Sequence, residues 1–238
     1  MSPSILESWR QLTGSPAFGL VATLAAYLIA RAVYERSGSR SIFNPTLVAV
    51  VLLATTIRVS GLDYESYAQS AKFVTFLLSP AIVLIAVPLF RQRELIRKSG
   101  LIVFGALAVG APVGAAGAVG IAWLLHADHI TLLSIAPKST TAGIAIGISA
   151  KIGGIPSLTA ALVILTGIMG AVCGIPAMRL MGVREPRAMG LALGIASHGI
   201  GTARALQYGE VAGAFAGLGM GLNGIVTAFL LPLFVQYL

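Results

Sequence analysis

The chain has 238 residues, of which 57% are hydrophobic and only 10% charged, against about 25% charged in a soluble domain. At a mean hydropathy of +0.91 it lacks the polar side chains to cover a soluble surface and is too apolar for a disordered segment. Cys173 is its one cysteine, which excludes a disulfide scaffold and a multi-cysteine zinc site, so the composition points to an all-α, polytopic membrane protein.

The net charge of +8 does not indicate a nucleic-acid partner. The basic residues sit in short clusters between long uncharged runs, as membrane topology requires. Those runs are 11–30, 41–57, 73–90, 99–125, 139–150, 152–178, 188–203 and 211–238. They are continuous Leu/Ala/Val/Gly blocks without the alternation of a transmembrane barrel. Six meet or approach the roughly 20 residues that a spanning helix needs, while 139–150 and 188–203 are short. Met1–Arg10 has no basic stretch ahead of a short apolar core, so no Sec-type signal peptide is expected.

Three loops carry the positive charge: Arg31, Arg36 and Arg40; Arg91, Arg93, Arg97 and Lys98; Arg179, Arg184 and Arg187. All three should face the cytoplasm. Three runs separate the second loop from the third, so one of them must fail to cross. The short run 139–150 is the candidate, as a re-entrant or broken element near 134–151. Such backbone is tolerated at membrane depth only inside protein or along a cavity. About seven spanning helices are then expected in a single polytopic domain, 1–238. Its segments 41–125 and 152–238 would run in opposite directions, an inverted repeat of the kind built into secondary transporters. The middle run of each segment carries helix-breaking residues: Pro80 with Pro88 in the first, Gly199 and Gly201 in the second.

Two polar clusters interrupt the apolar runs. In Ala136-Pro137-Lys138-Ser139-Thr140-Thr141, Pro137 suits a helix start. A helix beginning there would aim N–H groups, three hydroxyls and an ammonium at one point, an anion site by the logic of helix N-termini. The bland alternative is a lysine that snorkels to the headgroups. The second cluster is Ser197-His198-Gly199-Ile200-Gly201-Thr202-Ala203-Arg204, followed by Gln207, Tyr208 and Glu210. His198 changes charge near neutral pH and so suits proton coupling, with Glu210 as a second proton group. Arg204 offers a planar fork for a carboxylate. The alternative is a structural polar cluster, with Arg204 and Glu210 paired at the interface. Asn44 and Asn223 read as helix-packing hydrogen bonds. Gly190/Gly194, Gly213/Gly217 and Gly170/Gly174 have the spacing of closely packed helices.

There is no His-Glu-x-x-His, no phosphate-loop lysine motif and no Gly-x-Ser-x-Gly, so no enzyme, metal site or cofactor is expected.

These clusters resemble the LrgB/CidB family of bacterial inner-membrane proteins over almost the whole chain. The resemblance is carried by Asn44-Pro45-Thr46, Leu78-Ser79-Pro80-Ala81, Ala136-Pro137-Lys138-Ser139, Gly153-Gly154-Ile155-Pro156-Ser157 and Thr166-Gly167-Ile168-Met169-Gly170. It continues through Ser197 to Arg204 and into Gly209-Glu210. It implies a multi-pass protein of the inner membrane, and two functions. One is an antiholin-like effector of murein hydrolase export or lysis, with a holin-like partner of the LrgA/CidA type. The other follows the related part of plastid glycolate/glycerate transporters and relatives linked to pyruvate movement: a carrier of small monocarboxylates. In the carrier reading Lys138 and Arg204 attract the carboxylate, and Ser139, Thr140, Thr141 and Thr202 hydrogen-bond it. His198, with Glu210, carries a proton. Either function accommodates a homo-oligomer. Two departures from the family pattern, Ala142 after Thr141 and Gln207 where a glutamate is frequent, bear on substrate preference and proton coupling.

Overall fold

The computed structural model describes residues 15–235. The Met1–Arg10 segment lies outside them. The described chain is helical and, among the described residues, without strands. It divides into two units, up to Leu84 and from Ile85.

In the first unit, α1 (Pro16–Arg36) is followed by a short 3-10 turn, Ser41–Phe43, and by α2 (Pro45–Ser60). Asn44 caps α2 by accepting from the N–H groups of Thr46 and Leu47 at 2.9 and 3.3 Å, with Pro45 pre-set for the first turn. Where a helix-packing hydrogen bond was expected of Asn44, its side chain caps its own helix. Ala26, Ala30 and Ala49 form the small core between α1 and α2. α3 (Tyr64–Ser70) starts at the Asp63 cap and ties back to α1 through a 2.8 Å bond between the Tyr67 and Thr23 hydroxyls.

α4 (Lys72–Leu84) contains Pro80, and the helical run stops at Leu84 rather than at that proline. Pro88, inside α5 (Ala86–Arg91), has no N–H for the Leu84 carbonyl four residues earlier, which accounts for the interruption at Ile85.

The second unit continues through α6 (Arg93–Lys98), α7 (Gly100–Leu124), α8 (His129–Ile135), α9 (Ala142–Ile152), α10 (Pro156–Leu180), α11 (Pro186–Tyr208) and α12 (Glu210–Phe234). Among the described residues four helices are long and apolar enough to cross a membrane: α1, α7, α10 and α12. Their outer faces are apolar: Leu101 is 86% exposed and Phe229 73%, side chains that belong against lipid. The protein is an all-α membrane protein.

Two segments of the second unit leave and return on one side. The first is α8–α9. Thr159 Oγ1, near the start of α10, lies 2.9 Å from the Ser134 carbonyl and 2.7 Å from Ser149 Oγ. The chain therefore departs from Thr159 at Ser134, turns through Pro137–Thr141 and comes back to it at Ser149. α9, at 11 residues, is about 16 Å long, half a bilayer core. Gly153, at φ 89°, ends it in the left-handed conformation that glycine adopts freely.

The second is α11, and it differs from the crossing run expected for 188–203. Ser197 (φ −131°, ψ 16°) and His198 (φ 42°, ψ −134°) are non-helical, and the helix doubles back there. Its outgoing half packs Gly190 and Gly194 against the carbonyls of Ala212 and Ala216, and its returning half packs Leu206 on Gly213. Both halves thus lie along the same part of α12. Met189 and Ala205 share one buried cluster with Met178 and Ala212. At the base the Arg179 guanidinium lies 5.5 Å over the Tyr208 ring, and Glu210 pairs with Arg91 at 3.7 Å. Both ends of α11 therefore lie at the C-terminal end of α10. The sixteen uncharged residues of the run supply two half-length helices, not one full crossing. β-Carbons at Gly190 and Gly194 would overlap α12 backbone, so the close packing expected at that pair is found.

Candidate functional site

The two re-entrant hairpins start from opposite ends of α10. The first is anchored at its N-terminal end, by Ile155 N–H donating to Ser134 Oγ at 2.8 Å and by Thr159. The second is anchored at its C-terminal end, by Arg179 and Met178. Their tips meet. The Asn223 side-chain amide, fully buried near the middle of α12, donates to the Ser139 carbonyl at 3.1 Å and to the Ile195 carbonyl at 3.0 Å. Ile195 lies in the last turn before the α11 break. In an unbroken helix its carbonyl would accept from Gly199; here the break removes that partner and Asn223 replaces it.

The depth of this junction follows from its neighbours. A β-carbon at Gly114, near the middle of α7, would come within 3.8 Å of Ser139 Oγ. On α10, β-carbons at Gly167 and Gly170 would collide with His198 and Ser197 respectively; both glycines are mid-helix. Three helices of spanning length therefore place the tips near their midpoints.

The tip residues are arranged as follows. Lys138 is partly buried, with Nζ 3.3 Å from Ser139 Oγ. Among the described residues no ion pair holds this ammonium. Thr140 is buried and donates to the Pro137 carbonyl at 3.0 Å, fixing the turn. Pro137 lies buried in that turn, ahead of α9. Thr141 occupies the N-cap position of α9 without a side-chain cap bond. In the second tip His198 is buried, and its Nε2 lies 3.0 Å from the Val163 carbonyl of α10. A carbonyl only accepts, so Nε2 carries the hydrogen. Thr202 donates to the His198 carbonyl at 2.8 Å and lies 3.8 Å from Met220 sulfur. Gly199 follows the break directly. Gly201 lets the returning half approach the Leu193 carbonyl of the outgoing half.

Lys138, Ser139, Thr140, Thr141, His198 and Thr202 thus belong to two tips joined by one amide. Arg204 donates to Gln207 Oε1 at 3.1 Å, and Glu210 meets Arg91 at 3.7 Å at the base of the second hairpin. Asn223 was expected to be a packing bond. It is one, and it packs the two tips to each other, a partnership that no sequence pattern specifies.

Electrostatically the junction is positive. Two half-helices begin at it, α9 after Thr141 and the returning half of α11 after His198. Each brings unpaired N–H groups and about half a positive charge. The Ser139 carbonyl and the C-terminal carbonyl Ile195 are taken up by Asn223. The C-terminal ends of α8 and of the outgoing half of α11 reach the same junction and oppose those dipoles, so the formal positive charge there is the Lys138 ammonium. Among the described residues no group of His, Cys, Asp and Glu has a metal-binding arrangement. At the hairpin base Asp128 caps α8 by accepting from Thr131 N–H at 2.9 Å, and the hydrogen bonds from Thr131 hold its carboxyl below the usual carboxylate range.

Comparison with known proteins places the chain. The model of the LrgB-like family matches residues 23–237. The protein named Uncharacterized protein YxaC, of Bacillus subtilis (strain 168), is 35% identical over 216 residues, 91% of this chain and 94% of its own. Antiholin-like protein LrgB of Bacillus mycoides (strain KBAB4) is 32% identical over 226 residues, 95% of this chain and 98% of its own. The protein of the same name in Bacillus cereus (strain B4264) has the same identity and coverage. No solved structure matches the chain.

Proposed function

The chain belongs to the LrgB-like family, and from that premise we propose that it is a secondary transporter of small monocarboxylates, of the pyruvate, glycolate, glycerate or lactate type, in the bacterial inner membrane. The observation that carries this reading is the junction of two re-entrant tips at mid-helix depth around an ammonium that, among the described residues, no ion pair holds. A cation at membrane depth is costly unless an anion compensates it. Broken helices whose N-termini point at an anionic substrate are a recurring transporter device.

In this reading the carboxylate sits between the tips. Lys138 neutralises it, and N–H groups at the starts of α9 and of the returning half of α11 bind its oxygens. Ser139 and Thr141 offer hydroxyls beside Lys138. Thr140 and Thr202 have their hydroxyl hydrogens committed to carbonyls, so they shape the tips and keep only acceptor capacity toward a ligand. His198 is the group of the junction suited to a proton, and Glu210 sits at the base of the same hairpin, where a proton would enter or leave. Arg204 draws the carboxylate toward that hairpin. The two hairpins serve as gates, one toward each face of the membrane.

The name Antiholin-like protein LrgB, borne by the relatives in Bacillus mycoides and Bacillus cereus, favours a second reading, an antiholin-like effector of murein hydrolase export or lysis working with a holin-like LrgA/CidA-type partner or as a homo-oligomer. Uptake into proteoliposomes separates the two. The transport reading expects saturable uptake of labelled pyruvate, glycolate or lactate that Lys138→Ala reduces at least about tenfold, without leakage of a large dye. Wild-type protein that moves none of these acids above the variant, or that releases the dye, contradicts it.

A further inference from the structure

We infer that Asn223 is a positioning residue that prevents both hairpin gates from opening together, an inference that rests on the transport reading. Its amide nitrogen has two hydrogens, and each is given to a different hairpin: Ser139 O of the first tip and Ile195 O of the second, at 3.1 and 3.0 Å. The side chain is 1% exposed and stands on α12, which forms neither tip. Its oxygen is 3.4 Å from Thr227 Oγ1, one turn along the same helix.

The consequence follows from counting donors. When either tip moves away, one N–H loses its acceptor while the other keeps it, and the amide stays half satisfied on the tip that remains. When both tips move away, a buried amide loses both acceptors, and two tip carbonyls are stranded with it. An unsatisfied buried polar group costs more than a typical hydrogen bond contributes. The doubly open state, the one that leaks, therefore carries an extra penalty that neither singly open state carries. A single-donor or apolar side chain at 223 cannot impose it.

The variant Asn223→Leu keeps the γ-branched shape, with methyl groups in place of the amide, and has no donor. In proteoliposomes the ratio of net leak of labelled pyruvate to pyruvate/pyruvate exchange is expected to rise at least about fivefold, with exchange retained, which is roughly the weight of one hydrogen bond. A ratio within twofold of wild type overturns the inference. A second arm does not depend on transport. In a Cys173→Ala background, Ser139→Cys keeps the backbone carbonyl that Asn223 binds and is modified with a membrane-impermeant methanethiosulfonate, which forms a mixed disulfide and releases sulfinate, applied from each face. Adding Asn223→Leu should speed labelling from both faces at least about fivefold. Unchanged labelling, or faster labelling from one face only, overturns it. Wild type that exchanges no carboxylate while the labelling arm behaves as expected removes the transport reading and leaves the clasp.

Discussion

The Arg179 guanidinium lies over the Tyr208 ring at 5.5 Å, although Tyr208 is the last residue of α11 and the rest of that helix separates the two in sequence. A helix that crossed the bilayer between them would put them on opposite faces, about 30 Å apart. Their contact makes α11 a hairpin. In a Cys173→Ala background, cysteines at Tyr208 and Arg184 should label from the same face, and a cysteine at Ile155 from the other. Labelling of 208 together with 155 would restore the crossing helix and dismantle the junction.

The α11 turn fits because α10 offers it two glycines. Gly170→Val would drive its β-carbon into the Ser197 side chain, and Gly194→Val would drive its β-carbon into the α12 backbone at Ala216. Overpacking of this kind costs about 1–3 kcal/mol, more where backbone must move. Gly117→Val is the control, since nothing lies within 4 Å of a β-carbon there. Thermal unfolding in detergent should show a lower midpoint for the first two variants and an unchanged one for the third.

The first hairpin closes on one hydroxyl. Thr159→Val keeps the shape and removes the donor to the Ser134 carbonyl and the partner of Ser149 Oγ. In a site that excludes water the loss is about 1–3 kcal/mol, whereas Thr159→Ser should retain most of the stability. Hydrogen exchange of α8 and α9 is the readout, with protection lost in the valine variant and held in the serine variant. Equal protection in both would show that the hydroxyl does not close the loop.

The Asp128 cap gives the α8 end a pH dependence of known sign. Its folded-state carboxyl is held lower than in the unfolded chain by hydrogen bonds from Thr131. The cap therefore stabilises fully above the ordinary carboxylate value near about 4. It fades as pH falls through the lower folded-state value. Exchange protection at the start of α8 should drop in that acid range. Asp128→Asn, which caps without titrating, should remove the drop while keeping protection at neutral pH.

Much of this architecture is legible in the chain. Charge spacing and run length alone require a segment that fails to cross, and the short run after Pro137 is where α9 lies. The Lys138 and His198 clusters stand out because ionisable side chains in apolar runs need a reason. Other features are not legible. Glycines at 199 and 201 suggest a break in α11, but the non-helical residues are Ser197 and His198, because the turn is shaped by contacts to Gly167 and Gly170 on another helix. Periodicity also gives no means of telling a crossing helix from one that doubles back, since both are continuous apolar blocks. The difference lies in Gly190 and Gly213, which bring both halves onto α12. Asn223 reads as one amide among apolar neighbours, and its importance comes from two carbonyls, 84 and 28 residues away in sequence.

The central claim is that the two tips form one carboxylate site. Substrate protection measures it directly. Cysteines placed singly at Ser139 and at Ser197, in the Cys173→Ala background, are alkylated in the presence of increasing pyruvate or glycolate. One site shared by both tips predicts protection at both positions with the same half-maximal concentration, and loss of both when Lys138 is replaced by alanine. Protection at one position only, at two different concentrations, or at neither would mean that the tips do not share a ligand.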